Sequence, residues 1–548
     1  MTFDTPRRLA FTAVLVSIIL LGWTTPGIPI VWDEGEYLWR ADRLVSWFRL
    51  LADSASPQGG FHALSESVIR DHWMFITWSE GHPAWAAIPI AAATSLLTGM
   101  LHPLTAARFG TVAVFSAACG VVAFRLRKAY GTAAAVVAVV ALLTFPRIFS
   151  EAHFATLDGQ LTAWWLILWA ADTSMRSDVG STIGTGLLAG LTAATKFTGW
   201  LAWMPLVTSR IVRRDKRQRL GLLLIVPVGV LAFYAVNPPL WHHPLDNLIA
   251  HFRLNLARSL DIPVAFLGRV YDMRHPLPWY NTLAWLVFVT PLPLFVLGGL
   301  GLAHCLRIRD AMSLSLLLHW ATLMVMRALP GTPTHDGIRL FLPAFGFWCV
   351  FAGIGAQRVW EGSRRQRPAW RGSLVRATVV VALAADGVNL ARYYPQTLSH
   401  YSLLVGGVRG AASIGMEPTY WWDALDNDVF SWLNQHPGES VAFSSTANIS
   451  MLRGWGRLRV PVADRRGVYK WYVLQNRTGF LGEADRLLLR NVKPAYTKFA
   501  GHHSRVPPDL NVPLLAVFTY DEVQAAVAEV TTDRNPGPDV TSVDVVRP

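Results

Sequence analysis

Asp33 and Glu34 stand side by side at the end of an apolar run, with Glu36, Tyr37 and Asp42 following. A charge near a bilayer is expensive unless it is paired, hydrated or put to use. Adjacent carboxylates there suit general-base chemistry or a divalent cation. They also suit the positive N-terminal end of a helix. Asp158, in FSEAHFATLDGQLTAWW, is a second acidic residue at a span end, with Glu151 and His153 nearby; it is a partner for Asp33 or a helix cap. Lys196 interrupts an apolar region, either snorkelling or holding an anion. His335, Asp336 and Arg339 precede a late apolar run, and the arginine fork fits a phosphate, a lipid headgroup or Asp336 itself. His82-Pro83 is a further polar punctuation, as a ligand or as a hydrogen-bonded structural histidine.

What must position these residues is a membrane. The chain has 548 residues, 52% hydrophobic and only 16% charged, with mean hydropathy +0.32. Soluble domains carry about 25% charged residues, so the composition excludes a disordered chain and a nucleic-acid-binding protein. A spanning helix needs about 20 apolar residues. Candidates are 9–30, 106–124, 131–149, 160–175, 181–197, 199–212, 220–238, 281–305, 311–327, 338–356 and 373–392. The first follows Arg7 and Arg8 and resembles a signal peptide, but no small-x-small cleavage site follows it, so it reads as an uncleaved span.

The +13 net charge (49 Lys and Arg against 36 Asp and Glu) sets the orientation. Cytoplasmic loops hold the excess Lys and Arg. With the N-terminus inside, and with 83–101 left uncrossed, the inner loops collect Arg7, Arg8, Arg125, Arg127, Lys128, the 210–219 cluster, Arg307, Arg309 and the basic run from 358 to 376. Letting 83–101 cross would put the 125–128 and 210–219 clusters outside. The segment therefore reads as an outer juxtamembrane helix, within a first outer loop at 31–105. By the same parity Asp33, Asp158, Lys196 and Arg339 all face outward.

The spans end near 392. The tail 393–548 reads as a small α/β domain on the outer side, with a helix at 420–435, β-like runs at 440–444, 469–475 and 513–518, and a polar, disordered end at 531–548. The three cysteines, Cys119, Cys305 and Cys349, lie in apolar runs and read as core. No repeat is evident. Asn448-Ile-Ser and Asn476-Arg-Thr match glycosylation sequons by chance in what reads, from its Arg-rich composition, as a bacterial chain.

The order of motifs over 1–360 resembles a known superfamily. An apolar span is followed by Asp33-Glu34, His82-Pro83, Arg108 opening a span, Leu157-Asp158 between spans, Gly190-Leu191-x-x-x-Thr195-Lys196 and His335-x-x-x-Arg339-x-x-x-Pro343. This set resembles the GT-C integral-membrane glycosyltransferases, and is most similar to the protein O-mannosyltransferase and bacterial lipid A aminoarabinose transferase branches. The Pro-Trp-Tyr stretch at 278–280 is also similar to bacterial members. The pattern departs from the family at His82-Pro83-Ala84, where His-Pro-Pro is common. The aminoarabinose transferase has lysine where His82 sits and a basic residue at the position of Glu36.

The resemblance implies a mainly α, polytopic fold of about eleven spans, with outer juxtamembrane helices and an extracytoplasmic α/β tail, in a bacterial inner membrane. It implies a polyprenyl-phosphate sugar donor and transfer to a hydroxyl of a lipid, glycan or protein at the periplasmic face. Asp33 would be the general base, and inversion would follow from single displacement. Glu34 and Asp158 would position acceptor or sugar, or Asp33 and Asp158 would hold Mg²⁺ or Mn²⁺. Lys196 and Arg339 would meet the donor phosphate, helped by His82, Arg40 or Arg274. Glu36, Tyr37, His335 and Asp336 would position acceptor or sugar. The rival readings are a transporter or flippase of lipid-linked sugars, although no inverted repeat or paired broken helix is seen, and an anchored binding protein that works through its tail.

Overall fold

The first apolar run folds as helix Pro6–Thr24 for local reasons. Thr5 caps it, accepting the Arg8 N–H at 3.3 Å, and Pro6 opens the first turn, where no amide partner is needed. The computed structural model describes residues 5–53, 60–73, 81–174, 178–212, 216–257, 261–502 and 505–533. Among these, six helices are long and apolar enough to cross a membrane: Pro6–Gly27, Pro103–Ala129, Lys216–Ala235, Ala311–Ala328, Arg339–Arg364 and Ala369–Tyr393. The chain is thus a multi-pass membrane protein. Shorter apolar helices, Ala87–Leu97, Thr132–Thr144, Val179–Ala193 and Leu292–Ile308, fill the spaces between.

Helix Leu342–Arg364 is the axis. It packs against Thr132–Thr144, Leu157–Ser174, Leu292–Ile308, Ala311–Ala328 and Ala369–Tyr393, and 94% of its most apolar window is buried. In the next helix, Ala369–Tyr393, only 6% is buried, and Val380, Val381 and Val388 point outward. An apolar helix bare on nearly all sides is stable in lipid, where its backbone is satisfied internally. Close helix crossings use glycine. A Cβ on Gly301 would lie 1.9 Å from the Phe351 carbonyl oxygen, and one on Gly355 2.0 Å from that of Leu297.

Prolines divide two of the expected spans. At 281–305 the chain makes two helices, Asn281–Val289 and Leu292–Ile308, because Pro291 pushes Thr290 into extended conformation (ψ 125°). At 131–149, Pro146 does the same to Phe145 and starts a short second helix, Pro146–Glu151. The segment 83–101 carries an 11-residue helix, Ala87–Leu97. At 1.5 Å per residue that is about 16 Å, roughly half the hydrocarbon thickness. It lies against Glu34–Ala52 and Pro103–Ala129.

The tail builds a four-stranded sheet in the order β3-β4-β6-β5, with β3 Val441–Phe443, β4 Trp471–Gln475, β5 Tyr496–Lys498 and β6 Leu515–Thr519. β3 runs parallel to β4, and the other pairs are antiparallel. Alternation splits its side chains between two faces. Tyr472, Leu474, Ala516 and Phe518 face a small outer core under helices Glu483–Asn491 and Tyr520–Asp533. Val473, Leu515 and Val517 join the core of the helical body. A separate two-residue hairpin, β1 Val264–Phe266 and β2 Arg269–Tyr271, turns at Leu267 and Gly268, both at positive φ, as a type I′ turn requires.

Two expectations for the tail change. The helix expected at 420–435 begins at Asn427, capped by the Asp426 carboxylate on the Asp428 and Val429 amides. Trp421 and Trp422, expected inside it, are left-handed (φ 56° and 59°). Residues 531–533, expected to open a polar, disordered end, instead close helix Tyr520–Asp533; 534–548 lie outside the described residues.

Candidate active site

Arg339 stands at the centre of the charges expected to share one face. Asp336 and Gly337 both take positive φ (60° and 59°), and this tight turn folds Asp336 back onto the arginine it precedes. The guanidinium then donates in three directions: to Asp33 Oδ2 at 2.6 Å, Asp158 Oδ2 at 2.9 Å and Asp336 Oδ2 at 2.7 Å. Trp421 covers it, with the ring centroid 3.7 Å from the guanidinium carbon. Lys196 donates to the other Asp158 oxygen at 2.6 Å. From the tail, Arg477 donates to the other Asp336 oxygen at 2.7 Å and lies over Trp422 at 4.0 Å. Three cations and three carboxylates thus form one contiguous network.

Each member arrives by a different element. Asp33 immediately precedes helix Glu34–Ala52, yet its carboxylate makes no capping bond and turns to Arg339 instead. Asp158 sits in the first turn of Leu157–Ser174. Lys196 follows helix Val179–Ala193 in extended backbone. The His82-Pro83 loop is held beside that corner, since the Trp85 amide donates to the Ala194 carbonyl and the Ala84 amide to Asn237 Oδ1.

The three aspartates are not equivalent. Asp158 is 2% exposed and Asp336 6%, and both oxygens of each are bound. Asp33 is 29% exposed, and among the described residues only its Oδ2 is bound. The cations have spare donors. Lys196 uses one of its three N–H groups and Arg339 three of its five on these partners.

Glu34 has another task from the one expected. It forms a fully buried double ion pair with Arg108, at 2.7 and 2.6 Å, and also accepts from the Val31 and Ala155 amides. Arg108 in turn donates to the Thr25, Ile28 and Pro29 carbonyls. Those carbonyls belong to the segment that follows the first helix and leads to Asp33. The pair therefore fixes the loop that delivers Asp33 and, through Ala155, the loop before Asp158. Glu36 is half exposed and paired with Arg40 at 2.9 Å, and Tyr37 is buried beside that same guanidinium. Arg274 lies exposed in the loop after β2 and is not among the side chains touching the network.

Sequence reasoning missed Trp421 and Arg477, and named Glu151 only as a neighbour of Asp158. Glu151, fully buried, shares with Arg147, Asp336, Arg339, Tyr420 and Trp421 a cavity of about 10 Å³, room for about one water. Burial first, and then the neighbouring Asp158 charge, push its carboxyl well above the ordinary range. Burial would also raise Asp336, but Arg477 and Arg339 hold it below its usual value. Burial lowers His335 to about 4, so it is neutral at pH 7. The tail makes the roof: Asn448 donates to the Val31 and Trp32 carbonyls, and Trp422 packs on Trp32 at 4.6 Å.

Among the described residues no group of three His, Cys, Asp or Glu side chains is gathered as a metal site. Asp33 and Asp158 share the Arg339 guanidinium, and a cation bridging them would have to take its place.

No protein-family model and no curated protein sequence matches the chain. Among solved structures it is similar to ArnT from Cupriavidus metallidurans in the apo state, at 16% identity over 88% of this chain and 91% of that one (TM-score 0.48). It is similar to the same protein bound to undecaprenyl phosphate, at 15% identity over 93% and 98% (TM-score 0.49). It is also similar to the archaeal oligosaccharyltransferase AglB from Archaeoglobus fulgidus, in complex with an inhibitory peptide and a dolichol-phosphate, at 11% identity over 85% and 69% (TM-score 0.46).

Proposed function

We propose that this chain is a GT-C-type membrane glycosyltransferase that moves a sugar from a polyprenyl-phosphate donor to an acceptor hydroxyl at the extracytoplasmic face. The observation that carries the reading is the asymmetry among the three aspartates around Arg339. Asp158 and Asp336 spend both oxygens on fixed cations, while Asp33 keeps one oxygen open at the accessible side. That is what a base aimed by its partners requires.

In this reading Asp33 takes the proton of the acceptor hydroxyl as its oxygen attacks the anomeric carbon. The glycosidic C–O bond to phosphate breaks on the opposite side of that carbon, so configuration inverts. The leaving polyprenyl phosphate gains negative charge, and the spare N–H donors of Lys196 and Arg339 receive it in a dry, preorganised setting. Asp158 and Asp336 hold those cations in place. Glu34 acts through Arg108 as a positioning residue, and Trp421 keeps the Arg339 plane from turning. The N-terminus would be cytoplasmic and the tail periplasmic.

The test is transfer of labelled sugar from a polyprenyl-phosphate donor by the full chain in proteoliposomes. Transfer to a hydroxyl acceptor with inversion supports the reading. Movement of the lipid-linked sugar across the bilayer with no transfer would replace it with the transporter reading.

A further inference from the structure

Between the tail and the β1–β2 hairpin lies a second basic site that the reaction above does not use. A cavity of about 370 Å³ opens between the β1–β2 hairpin, helix Gly407–Ser413 and helix Glu483–Asn491. That volume is in the range of small-molecule sites. Among the described residues its polar lining is Arg269, Arg486, Arg490, Asn476 and Thr478, with no carboxylate. Arg486 and Arg490 are one turn apart on the same helix face, where like charges repel. The Arg486 Nε is buried with no hydrogen-bond partner among the described residues.

The hairpin is seated there on purpose of shape. Gly268 donates to the Gly415 carbonyl at 3.1 Å, and a Cβ on Gly415 would fall 2.3 Å from Gly268 Cα. That contact places β2, and so Arg269, opposite the two helical arginines. Three arginines lining one cavity with no acid among its described lining residues call for a compact ligand of charge near −2, because one carboxylate would leave two of them unmatched. Thr478 supplies a hydroxyl that suits sugar hydroxyls, and Asn476, whose amide already donates to the Pro513 carbonyl at 2.8 Å, retains its carbonyl oxygen and a second N–H.

We propose that this cavity binds a phosphate monoester, up to the size of a phosphorylated monosaccharide, as a site separate from the Asp33–Arg339 network. The shared chemistry is the dianionic phosphate, carried either by a soluble sugar phosphate or by a lipid headgroup. The inference does not depend on the transfer reaction.

The experiment is calorimetric titration of the full chain in phosphatidylcholine nanodiscs with glucose 6-phosphate and with glucose. The comparison protein is the Arg269→Glu/Arg490→Glu variant, whose two side chains are exposed, with monodispersity as the check on folding. Glucose 6-phosphate should bind the wild type at least about ten-fold more tightly than the variant, the scale of one charge-assisted hydrogen bond. Glucose should bind neither. Nanodiscs containing phosphatidic acid separate the sources. Competition by that lipid supports the site with a headgroup as its occupant, and no competition supports it with a soluble ester. Equal affinity of wild type and variant, or equal binding of glucose and its phosphate, would overturn the proposal whatever the transfer assay shows.

Discussion

Arg339→Lys separates charge from geometry at the centre of the network. Arginine meets three carboxylates at 2.6, 2.7 and 2.9 Å while its guanidinium carbon lies 3.7 Å from the Trp421 ring centroid. A lysine ammonium keeps the positive charge but has neither the planar fork nor the reach to hold three acids at once. Each charge-assisted hydrogen bond contributes about 1.5–3 kcal/mol net. Losing two, with the charge kept, removes about 3 kcal/mol of alignment, or roughly a hundredfold in rate. The folded state should survive, because the three aspartates still face a cation. Arg339→Ala is a different experiment, since uncompensated buried carboxylates cost about 3–5 kcal/mol and lower the yield of folded protein. The assay is kcat/KM for labelled-sugar transfer, paired with the thermal midpoint. If Arg339→Lys transfers within about threefold of wild type, a loss of under about 1 kcal/mol, the three-way clamp is not what aligns the site.

Three further outcomes follow from the same geometry. Glu34→Gln should act on stability, costing about 3–5 kcal/mol by stranding Arg108; a variant with a normal thermal midpoint and lost transfer would return Glu34 to a direct catalytic role. Trp421→Ala should lower kcat with little change in donor affinity, by freeing the Arg339 plane and a cation–π contact of about 2 kcal/mol when desolvated; unchanged kcat would remove the tail from the reaction. Asp423→Asn should change the pH dependence of stability. Burial raises the Asp423 carboxyl to about 7, so the folded state holds a proton that the unfolded chain releases near 4. Its contribution is complete below the unfolded value and falls as pH rises toward 7. The wild-type thermal midpoint minus that of Asp423→Asn should therefore fall between about pH 4 and 7. The difference is the quantity to read, because the buried neutral histidines His335 and His400 act in the opposite direction. A flat difference would show that Asp423 does not titrate in that window.

The residues that meet at Arg339 were legible because a membrane makes them conspicuous. Asp33, Asp158, Lys196 and Arg339 interrupt apolar sequence, and the loop charges place them on one face. Asp336 was legible as one alternative partner of Arg339, but not the left-handed turn at 336–337 that folds it back onto the guanidinium. The pairing of Glu34 was not legible because its partner lies 74 residues away on another helix. Trp421, Trp422 and Arg477 sit in a stretch with soluble character, where no bilayer cost flags a polar residue. The Trp-Trp pair reads as helix by pattern, and a double left-handed conformation for two bulky residues is a tertiary imposition that local propensity opposes. Tyr496–Lys498 escaped notice as a strand because three residues at a sheet edge carry too little alternation to register. The helix breaks at Pro146 and Pro291 were readable from proline geometry, but hydropathy averages across them.

The central claim is that Asp33, alone among the three aspartates on Arg339, takes the acceptor's proton. Asp33→Asn keeps the size of the side chain and an oxygen for Arg339 while removing the base. Single-turnover transfer of labelled sugar by the full chain, with donor binding measured on the same preparation, tests it. The account predicts a fall of at least about a hundredfold in the transfer step, with donor still bound. Transfer by Asp33→Asn at the wild-type rate would contradict it.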